Sequence, residues 1–223
     1  MARGLTRIAG VDEAGRGPLA GPVVAAAFVF SGTLAETGLH GDLARLTDSK
    51  KLTELQREAF FALLTGRDGL SYGVGIASVE EIDRFNILQA TYMAMRRAVS
   101  ALAVLPEHIL VDGRPVPGLP VPATAIVGGD ALSLSIAAAS VVAKVTRDRL
   151  MLALDRRHPQ YGFARHKGYG TARHIQALLE YGPLPEHRQS FRPVREAREI
   201  RRRQGQPETA AERPQLHLGL ESV

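Results

Sequence analysis

The stretch GVDEAGRGPLAG, residues 10–21, places two adjacent carboxylates, Asp12 and Glu13, between apolar segments of the chain. Residues 8–11 precede the pair, and the long apolar run of residues 22–30 follows the glycines. Charged groups enclosed by core sequence must pair with another group or bind a metal. The glycines let the backbone approach a ligand closely. The stretch therefore predicts a metal site at the end of a strand, beside a loop that binds phosphate.

Two further acids follow other short apolar strands. Asp112 comes directly after residues 109–111, and Asp130 follows residues 123–127 and two glycines. Because sites in open α/β sheets form where strands end, we expect the four carboxylates in one pocket. Asp12 and Glu13 can share this pocket only if their strand twists or ends there, since neighbouring side chains of a strand point to opposite faces. Such a cluster needs cations, and Mg²⁺ and Mn²⁺ prefer oxygen ligands. Taken alone, Asp112 before Gly113 and Asp130 after Gly129 each also fit an ordinary turn.

The composition is that of one globular protein with its own core. The chain has 223 residues, 45% of them hydrophobic, and no cysteine. Disulfides and thiolate metal sites are therefore excluded, which leaves oxygen and imidazole as metal ligands. No apolar run reaches the ~18 residues that span a bilayer, and no signal-peptide pattern opens the chain. We expect a cytoplasmic protein without a membrane segment, and nothing in the sequence demands more than a monomer.

The net charge of +5 is concentrated towards the C-terminus. Residues 161–205 contain 10 basic and 4 acidic side chains, whereas residues 1–160 contain 17 and 16. A concentrated basic stretch predicts an anionic polymer as partner. The alternative is a solvated, arginine-rich helix face. The residues expected to contact phosphates are Arg188, Arg192, Arg195 and Arg198.

Hydrophobic periodicity predicts alternating strands and helices. Strands are expected at residues 6–11, 23–30, 70–77, 109–111 and 123–127. Helices are expected at residues 53–64, at 134–157, and from a capping box at 78–81 into a long helix over 87–104. Four prolines exclude regular structure from residues 114–122. This order indicates an α/β fold with a mixed sheet of about five strands flanked by helices.

The motifs resemble those of the ribonuclease HII family, in that family's order and over roughly residues 6–194. Beyond residues 10–21 they are DSKKL (48–52), EEIDRFNIL (80–88), LVDG (110–113), GGD (128–130), AAASVVAKVTRDR (137–149) and YGFARHKGYGT (161–171). The resemblance implies a ribonuclease H-like fold and an endonuclease that cuts RNA–DNA hybrids and duplex DNA at embedded ribonucleotides. We expect a catalytic domain over residues 1–193, a basic helical extension over 194–205 and a flexible tail over 206–223.

The resemblance also implies the site residues. Those matching the family's catalytic metal ligands are Asp12, Glu13, Asp112 and Asp130. They would hold two Mn²⁺ or Mg²⁺ ions, with Asp12 bridging them, and cleavage would leave a 5′-phosphate and a 3′-hydroxyl. Gly15-Arg16-Gly17 matches the loop that reads the 2′-hydroxyl, the group that separates RNA from DNA. Tyr169 matches the tyrosine that sits against the sugar beside the ribonucleotide.

We also predict contacts or surroundings for several other residues. A phosphate contact is expected for Lys144, and for Arg147 an exposed ion pair with Asp148 or a neighbour fits nearly as well. Phe163 is expected in the core. Three histidines lack metal-ligand spacing, and none of them is assigned to the metal. They are His166, His174 and His187.

The tail contains QLHLGL, residues 215–220, after a polar linker. It resembles the QLxLxL peptide by which bacterial replication proteins bind the sliding clamp. The residues expected to contact the clamp are Gln215, Leu216, Leu218 and Leu220. A chance leucine cluster, or a tail that folds back on its own domain, stays open as an alternative.

The sequence leaves two alternatives to a ribonuclease HII. One is a non-catalytic nucleic-acid-binding module of the same fold, against which the presence of all four acids argues. The other is a ribonuclease HIII-type nuclease, which usually carries an additional N-terminal domain. The motif begins at residue 10, which leaves no room for that domain before it.

Overall fold

Five strands form one mixed sheet with the order β3-β2-β1-β4-β5. They are β1 (Ile8–Ala14), β2 (Val23–Phe30), β3 (Leu70–Ala77), β4 (His108–Asp112) and β5 (Ala123–Ile126). β2 is antiparallel to both β1 and β3, whereas β4 is parallel to both β1 and β5. The predicted mixed α/β sheet of about five strands is therefore confirmed.

The computed structural model describes residues 4–30, 43, 46, 49–66 and 70–207. The chain folds as two compact units. The first comprises Met1–Arg16 and Pro22–Leu150, and the second comprises Gly17–Gly21 and Met151–Val223. The expected domain boundaries at residues 193 and 205 remain predictions.

Six α-helices are described in chain order. They are α1 (Glu54–Gly66), α2 (Val79–Ser100), α3 (Leu134–Arg157), α4 (Phe163–His166), α5 (Ala172–Tyr181) and α6 (Arg192–Arg203). Strands β2 and β3 and helix α3 have the predicted bounds. In the described part of the chain, no helix is long and apolar enough to cross a membrane.

The predicted capping box starts α2. Ser78 Oγ accepts a hydrogen bond from the Glu81 N–H at 3.3 Å, and the Glu81 carboxylate accepts one from the Ser78 N–H at 2.9 Å. Asn86 then interrupts the helix with a left-handed φ of 68°. Its side-chain oxygen accepts from the Leu88 N–H at 3.0 Å, so a new N-cap restarts the helix after the kink.

Helices α2 and α3 lie very close to the sheet where glycines face them. A Cβ built on Gly10 of β1 would lie 2.0 Å from the Ser135 carbonyl carbon of α3, and one on Gly75 of β3 would lie 2.0 Å from the Ala94 oxygen of α2. Real Cβ atoms do not approach backbone so closely, so these helices can occupy their positions only over glycine.

Strand β1 differs from its prediction, because it starts at Ile8 and continues through both acids to Ala14. Its pairing with β2 extends to Ala14, but its pairing with β4 stops at Val11 opposite Val111. The sheet is therefore open on the β4 side at Asp12.

In the second unit, α6 packs against α5. Val194 and Ala197 of α6 share a buried apolar cluster with Leu178. Arg201 is fully buried, and its Nη1 donates to the backbone oxygens of Leu179 (2.8 Å) and Glu180 (2.9 Å). These carbonyls lie in the last turn of α5, where the backbone lacks helical donors, so Arg201 caps that helix.

Candidate active site

Three of the four predicted acids meet at the open edge beside β1. One carboxylate oxygen from each of Asp12, Asp112 and Asp130 lies within 4.8 Å of the other two. Asp12 belongs to β1, Asp112 ends β4, and Asp130 lies in the 3₁₀ turn Gly129–Ala131 that follows β5. Asp12 and Asp130 are buried. These three carboxylates therefore come together, although only Asp112 and Asp130 lie where strands end, since β1 continues past Asp12 to Ala14.

Glu13 does not belong to that cluster of three. The register pairs Asp12 with Ala26 and Glu13 with Ala25 on β2, and the Glu13 carboxyl lies close enough to the cluster for its charge to interact with Asp12 and Asp112. The Glu13 carboxylate instead accepts a hydrogen bond from Arg16 at 3.2 Å. Its assignment as a metal ligand remains a prediction.

Burial makes the adjacent acids Asp12 and Glu13 harder to ionise. Burial, followed by the charge of Glu13, raises the pKa of the Asp12 carboxyl to about 8. A hydrogen bond with Ser140 opposes this rise. Burial also raises the pKa of Glu13, and the Arg16 guanidinium opposes that shift. A divalent cation would offset the cost of ionising carboxyls that are buried close together, which is the physical reason that one would bind here.

The donor set fits a hard divalent cation. It consists of carboxylate oxygens, which Mg²⁺ and Mn²⁺ prefer over nitrogen or sulfur donors. The ligands are also oriented: Asp12 accepts from the Glu13 N–H at 2.7 Å, and Asp112 accepts from the Gly129 N–H at 2.7 Å. Side chains held in this way need little reorganisation to bind a metal.

Two further residues contact the cluster, and a third contacts one of these two. Lys50 Nζ lies 3.5 Å from the Asp130 carboxylate and is largely exposed. Ser140 of α3 hydrogen-bonds Asp12, and its hydroxyl lies 2.8 Å from that of Ser49. These three have no predicted role, although the motifs at 48–52 and 137–149 contain them. The packing of α3 on β1 brings Ser140 to Asp12, and a single segment of sequence does not reveal this packing.

The loop after β1 needs a glycine at its first position. Gly15 has a left-handed φ of 98°, and a Cβ there would lie 2.0 Å from Nε of Arg147. Arg147 is buried, and this Nε donates to the Pro22 oxygen at 3.1 Å. The expectation of an exposed ion pair for Arg147 is therefore wrong, because a backbone carbonyl distant in sequence satisfies its guanidinium.

Asp148 pairs instead with Lys144. The Lys144 Nζ lies 2.7 Å from the Asp148 carboxylate, one helical turn along α3. Both side chains belong to the first unit. A phosphate contact for Lys144 remains a prediction.

In the second unit, Gly17 and Tyr169 are neighbours. A Cβ on Gly17 would lie 3.5 Å from Cε1 of Tyr169, and 47% of Tyr169 is exposed. Two predicted substrate-binding residues are therefore adjacent, with a ring available to a ligand. Phe163 is fully buried, as expected.

The basic C-terminal stretch separates into buried and exposed arginines. Arg188 is fully buried, and its Nε donates to the Gly21 oxygen at 3.0 Å. Its predicted phosphate contact is wrong, because the guanidinium is buried, donates to the Gly21 oxygen and packs against the Phe191 ring. Arg192 and Arg195 are exposed on α6, and Arg192 pairs with Glu196 at 2.6 Å.

Known proteins match most of this chain. The family model described as Ribonuclease HII matches residues 9–194. The chain is 56% identical over 195 residues to the ribonuclease HII of Geobacillus kaustophilus, covering 87% of this chain and 72% of that protein. It is 55% identical over 195 residues to the ribonuclease HII of Syntrophotalea carbinolica, covering 87% of this chain and 89% of that protein.

Solved structures agree with this match. The crystal structure of ribonuclease H2 from Pyrococcus horikoshii superposes with a TM-score of 0.72 at 31% identity, covering 88% of this chain and 99% of that one. Ribonuclease HII in its complex with PCNA from Archaeoglobus fulgidus superposes with a TM-score of 0.60 at 25% identity, covering 81% and 91%. The fold is thus ribonuclease H-like, and the chain belongs to the ribonuclease HII family of endoribonucleases.

Proposed function

We propose that this enzyme hydrolyses the phosphodiester bond 5′ of ribonucleotides, both in RNA–DNA hybrids and at single ribonucleotides embedded in duplex DNA. The products would carry a 5′-phosphate and a 3′-hydroxyl. The observation that carries the proposal is the meeting of Asp12, Asp112 and Asp130 within 4.8 Å, in a chain of the ribonuclease HII family. The cellular roles would be ribonucleotide removal from the genome and replication-primer cleanup, in the cytoplasm and by a monomer.

The chain's own residues prepare the reaction. Asp12, Asp112 and Asp130, together with Glu13 beside them, would hold two Mg²⁺ or Mn²⁺ ions. Bound metals supply an activated water and stabilise charge on the attacking and leaving oxygens. The Gly129 N–H orients Asp112, and Lys50 brings a positive charge to Asp130.

The deciding experiment is a nicking assay on three matched 5′-labelled duplexes. One contains a single ribonucleotide, one is an RNA–DNA hybrid and one is all DNA. We expect Mn²⁺- or Mg²⁺-dependent cutting of the first two and none of the third. Binding without cutting would favour the non-catalytic alternative, and cutting of the hybrid alone would favour a hybrid-only nuclease of the ribonuclease HIII type.

We also propose that Gly15-Arg16-Gly17 reads the 2′-hydroxyl of the ribonucleotide. Backbone N–H and C=O groups can contact a hydroxyl that both donates and accepts hydrogen bonds. The left-handed Gly15 and the side-chain-free Gly17 beside Tyr169 are the features that support this reading.

Tyr169→Ala is expected to reduce cutting at a single embedded ribonucleotide about tenfold more than cutting of a long hybrid. A stacking contact is worth ~1–3 kcal/mol, and stacking on the flanking deoxyribose matters only at the junction. The measurement is kcat/KM on both substrates. Tyr169→Phe is the matched control, because it keeps the ring and should stay near wild type. Equal losses on the two substrates would make Tyr169 merely structural.

Neutralising the exposed arginines of α6 is expected to flatten the salt dependence of substrate binding. Each phosphate contact contributes roughly one unit of log–log slope, so Arg192→Gln with Arg195→Gln should lower the slope by about two. The control is Arg7→Gln with Arg84→Gln, which removes the same charge from exposed positions of the first unit. An unchanged slope in the α6 variant would indicate that these arginines belong to a solvated helix face and do not contact phosphates.

We propose a sliding clamp as a protein partner, bound through residues 215–220. These lie outside the described residues, so the proposal depends on the QLHLGL pattern and on the clamp complex of the Archaeoglobus fulgidus relative. In calorimetric titration with a bacterial clamp, the full chain should bind with modest affinity, because a short peptide loses conformational entropy when it binds. A chain ending at Pro214 should not bind, yet should cut naked oligonucleotides normally. Equal binding by both chains would refute the motif.

A further inference from the structure

Two buried histidines of the second unit, His187 and His174, form a hydrogen-bond chain whose direction is fully determined. The Leu184 N–H donates to Nδ1 of His187 at 2.8 Å. That nitrogen is therefore an acceptor, and a neutral His187 carries its proton on Nε2. His187 Nε2 lies 3.0 Å from Nε2 of His174, to which it must donate. His174 then carries its own proton on Nδ1.

This hydrogen-bond chain ends at the backbone of Tyr169. Nδ1 of His174 lies 2.9 Å from the Tyr169 carbonyl oxygen, which can only accept. The donors and acceptors of both rings are thus satisfied in one pair of tautomers and in no other neutral pair. Both rings are fully buried, and burial lowers the pKa of His174 to about 4 and the pKa of His187 well below its usual value. The pair is neutral at physiological pH, as this direction requires.

His166 supports the same segment from the other side of His174. The His166 and His174 rings stack at 4.5 Å with 14° between their planes. Nδ1 of His166 accepts from the Gly168 N–H at 3.2 Å, and its backbone oxygen accepts from the Tyr169 N–H at 2.9 Å. Buried imidazoles therefore bind the Gly168 N–H, just before Tyr169, and the carbonyl oxygen of Tyr169 itself.

The turn that presents Tyr169 leaves its backbone few alternatives. Lys167 and Gly168 both have left-handed φ values, 50° and 85°. The Gly168 oxygen accepts from the Leu19 N–H at 2.8 Å, and a Cβ on Gly168 would lie 2.7 Å from the Ala20 oxygen. The backbone is held inside the unit while the ring stays about half exposed, which is the arrangement of a fixed contact surface.

We propose that His174, with its tautomer set by His187, is a positioning residue that fixes the Tyr169 ring for recognition of the RNA–DNA junction. The inference rests on the proposed role of Tyr169. It predicts that a residue with no access to substrate controls the preference for a single embedded ribonucleotide over a continuous hybrid.

The test measures the ratio of kcat/KM on the single-ribonucleotide duplex to kcat/KM on the hybrid. His174→Leu should lower that ratio roughly fivefold, the value of one neutral hydrogen bond. His174→Asn places an amide N–H near the Nδ1 position and should restore the ratio to within about twofold of the wild-type value. Phe163→Leu is the matched control: it alters a buried ring that packs against the histidines but donates nothing to Tyr169. It should lower stability and leave the ratio unchanged.

The double variant His174→Leu with Tyr169→Ala separates the two ideas. If His174 acts through Tyr169, the double variant has the ratio of Tyr169→Ala alone. If Tyr169→Ala changes the ratio and His174→Leu does not, the positioning role is refuted and the proposed role of Tyr169 stands. If Tyr169→Ala leaves the ratio unchanged, both are refuted.

A readout on the wild-type protein covers the case in which His174→Leu does not fold. Long-range ¹H–¹⁵N correlation spectra at neutral pH should show a protonated Nδ1 on His174 and a protonated Nε2 on His187. The reverse tautomers, or a charged ring at either position, would overturn the proposal.

Discussion

Replacing Asp12 by Asn is expected to abolish cleavage, and Asp112→Asn should do the same. Each change removes a charged ligand oxygen from the cluster of three carboxylates. Since loss of a group that only supports a ligand costs about 10–100-fold, loss of the ligand itself should cost at least about 100-fold. The measurement is nicking of a single-ribonucleotide duplex across a range of Mn²⁺ and Mg²⁺ concentrations.

The same variants should gain stability in the absence of metal. The pKa of Asp12 is raised above its unfolded value, so ionising this carboxyl costs folding stability as the pH rises from about 4 through about 8. Asn carries no charge, and we expect Asp12→Asn to be more stable than wild type by roughly 1–3 kcal/mol at pH 9 in chelator. Below pH 4 this gain should vanish, because the carboxyl is then protonated in both states.

Metal addition then reverses the order of stability. Mn²⁺ should raise the thermal midpoint of the wild type, because it binds the folded state, and should barely change that of Asp12→Asn. Glu58→Gln is the control, since Glu58 pairs with Arg149 on the surface and should affect neither cleavage nor the metal response. Near-wild-type nicking by Asp12→Asn or Asp112→Asn would overturn the assignment of the site.

Gly10→Ala is expected to destabilise the protein by about 3 kcal/mol or more, or to prevent folding. A Cβ at this position would lie 2.0 Å from the Ser135 carbonyl carbon and 2.2 Å from the Ile136 nitrogen. Overpacking a core costs ~1–3 kcal/mol when side chains can shift, and here the clash is with the backbone of α3. Urea unfolding measures the loss.

The variant also tests how the site is assembled. If α3 moves away from β1, Ser140 should lose its hydrogen bond with Asp12, and activity should fall further than the folded fraction does. Gly66→Ala is the control, since no heavy atom lies within 4 Å of a Cβ built there, and its stability should change by less than about 0.5 kcal/mol. A Gly10→Ala protein as stable as the control would contradict the close approach of α3.

Much of the fold follows from local pattern. Residues 23–30, 70–77 and 134–157 have the predicted bounds, because each is a long periodic or wholly apolar segment. For β1 the pattern predicts a stop before Asp12, since two adjacent carboxylates are atypical of a strand. Its continuation to Ala14 is stabilised by the ladder to β2, which a single segment does not reveal.

The remaining discrepancies concern charged side chains that are buried. The sequence predicts surface positions for Arg147 and Arg188, because arginine is mostly exposed in proteins. Both instead donate to backbone oxygens of residues 21–22, more than 100 positions away in the sequence. The histidines likewise receive no predicted role, because they lack metal-ligand spacing. Their partners are backbone groups of a turn, and the sequence carries no signal for such hydrogen bonds.

The construction of the second unit has a consequence for how the chain folds. This unit takes Gly17–Gly21 from near the start of the chain, and the hydrogen bond from Arg188 to Gly21 spans 167 residues. A chain emerging from the ribosome must keep that short segment available until Arg188, 167 residues after Gly21, has been made. Interactions of such separation form late and slowly, because a long loop must close first. We therefore expect residues 151–207, expressed alone, to stay unfolded until a peptide carrying Gly17–Gly21 is supplied.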